Sequence, residues 1–178
     1  MDKSKTLIYL FLRYLFLIII ALPGFAIFYF IFSPLTIYPS YWILSLFYQV
    51  SLQGNSFIID NYSINIIEAC VAGGAYYLLL ILNLSTPMKV NVRVKSLLFL
   101  LSTFLLFNIS RLVIFSSLAL EGFSYFDIAH KYTWYFGSTI FVALLWFLNV
   151  YIFKISEIPI FSDFKMIYSQ IKLDRKIK

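Results

Sequence analysis

Three residues of this chain, Cys70, Arg111 and His130, have side chains that could together carry out acyl transfer. Cysteine supplies a nucleophilic sulfur, histidine a proton donor and acceptor that works near neutral pH, and arginine a fixed positive charge for a developing oxyanion. Cys70 and His130 are the sole residues of their types in 178 positions. A lone cysteine excludes an internal disulfide, and one cysteine with one histidine leaves too few soft ligands for a structural zinc site. No metal and no other cofactor is expected.

The medium around these residues follows from composition. The chain is 62% hydrophobic and 21% aromatic but only 12% charged, against about 25% charged in a soluble domain. An all-α polytopic membrane protein is predicted, as a single membrane domain over 1–178. A net charge of +6 could suggest nucleic acid, yet the basic residues flank apolar runs, where they report membrane orientation. No nucleic-acid partner is expected.

Four stretches approach the ~20 apolar residues needed to cross a hydrocarbon core: 7–32, 69–84, 96–120 and 133–153. Pro23-Gly24 should bend the first, because proline removes a backbone donor and clashes with the preceding turn. Lys3, Lys5, Lys89, Arg93, Lys95, Lys154 and the lysines and arginine of the tail fall on one side of this arrangement. The other side carries Asp60, Glu68, Glu121 and Asp127 against Lys131. By the positive-inside bias, both termini are cytoplasmic and the acidic side faces out of the plasma membrane.

Segment 38–52, rich in Trp and Tyr, reads as an interfacial or re-entrant helix, since a fifth crossing would put Lys89, Arg93 and Lys95 outside. Residues 57–66 alternate around Asp60-Asn61 and predict a small outer hairpin. In the tail, 156–178, Ser162 can cap a helix on which Phe164, Ile167, Tyr168 and Ile171 form one apolar stripe, with Lys165 and Lys172 placed for anionic headgroups. A cytoplasmic amphipathic helix is predicted there.

These elements must position the three reactive side chains. A helix beginning near Glu68 places Cys70 in its first turn, where unpaired N–H groups and the helix dipole favour a thiolate. Gly73 and Gly74, at i+3 and i+4, leave room on that face for a substrate or a neighbouring helix. A lone membrane cysteine is more often a small packed hydrophobe, so Cys70 alone proves nothing. Arg111 says more, because a mid-span arginine costs about 2.5 to 3.5 kcal/mol on insertion scales. It lies about 22 Å along the helix from Ser96, in the outer leaflet, with Asn108 on the same face. An ion pair with Glu68 or Glu121, or snorkelling, would explain it without catalysis. His130 precedes the last span, and Asp127 at i−3 could orient its ring.

Glu68-Ala69-Cys70-Val71-Ala72-Gly73-Gly74 at the outer start of one span, Asn108-Ile109-Ser110-Arg111 in the next and His130 ahead of the last resemble the exosortase and archaeosortase family of membrane transpeptidases. The resemblance covers about residues 60–145, and Val71-Ala72-Gly73 stands where the family commonly has Ser-Gly after the cysteine. It implies a cysteine protease or transpeptidase that cuts exported proteins at a C-terminal sorting signal and passes them to an acceptor, which could be a lipid. Carried over by position, Cys70 is the nucleophile, Arg111 the polarising cation and His130 the acid/base, with Asn108 in support. Two other readings stay open: a non-catalytic assembly or transport subunit that uses Asn108 and Arg111 for helix contacts, and a lipid acyltransferase built on His130 and Asp127.

Overall fold

The computed structural model describes residues 3–22, 25–59, 62–159, 161, 163, 167 and 168. The chain is mostly helical: α1 Lys3–Ala21, α2 Ala26–Leu44, α3 Glu68–Val71, α4 Gly73–Ser85, α5 Val90–Leu120, α6 Phe126–Tyr132 and α7 Ser138–Phe153. A π-helical turn, Thr133–Gly137, joins α6 to α7 without leaving helical backbone angles at either junction. Among the described residues four helical stretches are long and apolar enough to cross a membrane: Ala26–Leu44, Glu68–Ser85, Val90–Leu120 and Phe126–Phe153.

The N-terminal third differs from the expectation. The stretch 7–32 is not one bent span: α1 stops at Ala21, Phe25 adopts left-handed angles (φ 65°), and α2 then continues to Leu44. Pro23 and Gly24, the predicted bend, lie outside the described residues. The segment 38–52 is therefore the C-terminal end of α2 followed by turns and a strand, and not a separate helix. Pro34 and Pro39 sit inside α2. Proline in a helix interior removes a backbone donor, but apolar surroundings penalise unpaired backbone and keep the helix going.

Contacts give the path of these helices. The Phe25 ring lies 5.1 Å from that of Tyr77, Phe32 stacks on Tyr76 at 3.6 Å, and Tyr29 packs on Gly73. Later residues of α2 thus meet earlier residues of α4, so the two are antiparallel. The Tyr77 hydroxyl also donates to the Leu17 carbonyl at 2.9 Å. Arg13, one turn earlier, forms an ion pair with Asp163, beyond the end of α7, and Tyr14 donates to the same carboxylate. The end of α1 and the start of α2 therefore meet at Tyr77 and follow one another along the bundle. Of the predicted tail helix, Ser162, Phe164, Lys165, Ile171 and Lys172 lie outside the described residues.

Two apolar clusters hold the fold together. Phe28, Phe32, Tyr76, Leu79, Leu100, Phe104, Val142, Leu145 and Trp146 form one between α2, α4, α5 and α7. The other joins Ile37 and Leu44 of α2 and Leu112 of α5 to Phe57, Ile59 and Ile66. Through it the bundle carries a three-stranded antiparallel sheet, β1 Val50–Gln53, β2 Ser56–Ile59 and β3 Tyr62–Asn65, in the order β1-β2-β3. The predicted hairpin is its β2-β3 half, in the register Ile59↔Tyr62. β1 was not expected as a strand because the interfacial-helix reading of 38–52 took in all of it but Gln53. Phe57 and Ile59 point inward by the period-two alternation of a strand, and the chain leaving β3 runs through buried Ile66 straight into α3.

Candidate active site

Backbone geometry at Cys70 sets the site. Ile67 is extended, α3 makes one helical turn over Glu68–Val71, and Ala72 then takes left-handed angles (φ 59°, ψ 44°) before α4 begins. A left-handed residue with a side chain is disfavoured by roughly 1–2 kcal/mol, and such outliers gather at functional sites. Cys70 therefore lies in the first turn of a helix that begins at Glu68, as expected, but Ala72 interrupts that helix after four residues. The end of a helix leaves carbonyls without intrahelical partners. Here α5 supplies the partners. Asn108 Nδ2 donates to the Cys70 and Val71 carbonyls at 3.0 and 3.2 Å, and Arg111 Nη2 donates to those of Ala69 and Cys70 at 3.3 and 3.1 Å. The turn that carries the sulfur is thus fixed from α5 by two side chains at i and i+3.

Arg111 also reaches the third wall of the site. Its Nη1 donates to Ser138 Oγ, the first residue of α7, at 2.7 Å. Among the described residues no carboxylate pairs with it, so neither Glu68 nor Glu121 neutralises the guanidinium. Neutral oxygens orient the charge and leave it uncancelled, the condition under which it acts most strongly on a nearby anion.

Cys70, Arg111 and His130 line one cavity of about 140 Å³, closed by Ile67 and Ala69. Cys70 is half-buried and free. The His130 ring is held by aromatic contacts: it stacks on Phe126 at 5.5 Å, nearly parallel, and meets Phe115 edge-on at 5.3 Å. Asp127 does not orient it as expected. Among the described residues no hydrogen bond joins the two, and Asp127 lines a different cavity with Lys131, Tyr132 and Tyr135. Spacing of i, i+3 brings two residues to the same side of a helix, but α6 presents His130 to α5 while Asp127 turns outward.

The two glycines separate in role. A Cβ on Gly73 would come within 2.7 Å of the Tyr29 ring, whereas one on Gly74 would meet nothing within 4 Å. Gly73 is a packing contact between α2 and α4. Gly74 lines a second cavity of about 490 Å³, with Glu68, Ser138 and Thr139 among its walls, that shares Ala69 with the first. Ser138, Phe115, Phe126 and Ala72 are contributors that the sequence did not mark. A serine at the start of an apolar helix was the one available signal. Among the described residues no cluster of three or more His, Cys, Asp or Glu could hold a metal.

The architecture is a helical bundle with four membrane-length helices and a thiol, imidazole and guanidinium in one cavity. Comparison with known proteins gives no match to any family model, curated protein or solved structure.

Proposed function

We propose that this chain is a membrane-embedded cysteine transpeptidase or protease of the exosortase and archaeosortase type, acting on exported proteins at the outer face of the plasma membrane, with both termini cytoplasmic. The single observation that carries the reading is the shared cavity: three residues from α3, α5 and α6, far apart in sequence, face one small space. The uncancelled charge of Arg111 beside the Cys70 turn supports it.

In this mechanism Cys70 Sγ, as thiolate, attacks the carbonyl carbon of the scissile peptide bond. The carbonyl π pair moves to oxygen, and Arg111 stabilises the oxyanion. Collapse of the intermediate breaks the C–N bond, His130 gives its proton to the departing amine, and a thioester remains on Cys70. Water or an acceptor amine then loses a proton to His130 and attacks the thioester, releasing the product and the thiolate. The larger cavity beside Ala69 offers room for the polypeptide on one side of the scissile bond.

A processing assay tests the reading. A reporter with a short motif, an apolar helix and a basic cluster at its C-terminus is co-expressed with the wild type and with Cys70→Ala. Loss of processing with normal membrane insertion is expected, and unchanged processing removes Cys70 from the mechanism. A non-catalytic assembly subunit has less support, because Asn108 and Arg111 are both engaged in bonds within the chain. An acyltransferase built on His130 and Asp127 is weakened by their separation.

A further inference from the structure

We infer that Ser138 is the positioning residue for the Arg111 guanidinium, and that the π turn Thr133–Gly137 is the device that brings Ser138 and His130 to the same side of their helix. The inference rests on the acyl-transfer reading. His130 and Ser138 belong to one continuous helix, Phe126–Phe153, yet both meet Arg111: His130 lines its cavity and Ser138 Oγ accepts from its Nη1. A regular helix does not allow this easily. Eight residues at 3.6 per turn leave the two side chains about 80° apart. A π turn closes i→i+5 and takes up one extra residue, so the pair stands as it would seven residues apart, about 20° off a common line. The π turn lies between them and nowhere else among the described residues. Ser138 is half-buried and lines the larger cavity, while the Arg111 it accepts from lines the cavity holding Cys70.

Two kinds of variant test this with the reporter assay. Ser138→Ala removes the acceptor and is expected to lower kcat about 10- to 100-fold with KM within about threefold, since a hydrogen bond to a charged group is lost. Ser138→Thr keeps the hydroxyl and restores kcat to near wild type. Membrane abundance and melting temperature of both variants match the wild type. Deletion of Phe136, an exposed residue of the π turn, leaves a regular helix with the pair seven apart and keeps activity. Insertion of one alanine after Gly137 turns Ser138 away and lowers kcat to the Ser138→Ala level. Equal kcat for Ser138→Ala and wild type, equal loss in the Ala and Thr variants, or a loss of folded protein that accounts for the loss of activity each overturns the inference. Loss of processing in Cys70→Ala alongside any of these leaves the acyl-transfer reading standing, whereas full activity of Cys70→Ala removes that reading itself.

Discussion

Two arginines of α5 hold the two ends of the α3-α4 segment, and they do it differently. Arg93, near the start of α5, donates to the carbonyls of Asn83, Leu84 and Thr86 at 2.7, 3.1 and 2.9 Å, while Asn83 Nδ2 donates to Ser96 at 2.8 Å. Arg111 takes two carbonyls, Ala69 and Cys70, with Asn108 beside it as Asn83 is beside Arg93. Both arrangements cap carbonyls released where a helix stops. At Arg93 the carbonyls belong to the last turn of α4 and to Thr86 just after it. At Arg111 the helix is interrupted by left-handed Ala72, one N–H goes to a serine of another helix, and the guanidinium faces a thiol and an imidazole. The three carbonyls account for the placing of the first arginine. Capping leaves the Ala72 break, the serine and the cavity of the second unexplained, and on these the proposed site rests.

Mutations at the two ends should therefore fail in different ways. The largest effect is expected for Cys70→Ala, with processing lost by at least about a thousandfold, since no other group replaces the nucleophile. Reporter cleavage on a gel, normalised to membrane-inserted protein, reads it. His130→Ala and Arg111→Ala follow, at about 100- to 1,000-fold each, from loss of proton transfer and of oxyanion stabilisation. Arg111→Lys restores little, because one ammonium cannot reach the serine and two carbonyls at once. Arg93→Ala is expected to act on stability: about 1–3 kcal/mol, read as a lower melting temperature in detergent, with activity per folded molecule unchanged. A melting loss at Arg111 with no loss of specific activity would make the two arginines equivalent and dissolve the contrast. The smallest pair sharpens it within α4. Gly73→Ala pushes on the Tyr29 ring and costs about 1 kcal/mol or more by overpacking. Gly74→Ala meets open space and is neutral or stabilising by up to about 1 kcal/mol from helix propensity.

Much of this contrast was readable in advance, for identifiable reasons. Arg111 stood out because a charge amid apolar residues is costly, and Asn108 because i−3 shares its face. In the structure both donate to carbonyls of the Cys70 turn. The runs 69–84, 96–120 and 133–153 overlap α4, α5 and α7, with the C-terminal ends within about one residue and the starts off by about four to six. Three things were hidden. The join of 26–44 into one helix was masked because residues 33–37 separate the apolar run 7–32 from the aromatic segment 38–52. The break at Ala72 had no signal, since alanine favours a regular helix and the break depends on α5 to hold the released carbonyls. The π turn was equally silent, and with it the roles of Ser138 and of the two phenylalanines that hold His130 in place of Asp127. Each of these is a tertiary effect written by a neighbouring element and not by local sequence.

The central claim is that the Cys70 sulfur becomes acylated by the substrate. Acid-quenching the wild-type protein during reporter processing, followed by mass measurement of the Cys70-containing peptide, tests it most directly. The account predicts that this peptide carries the mass of the reporter fragment and loses it on treatment with hydroxylamine, as a thioester does. Processing at the wild-type rate by Cys70→Ala, with no adduct on any peptide, would contradict it.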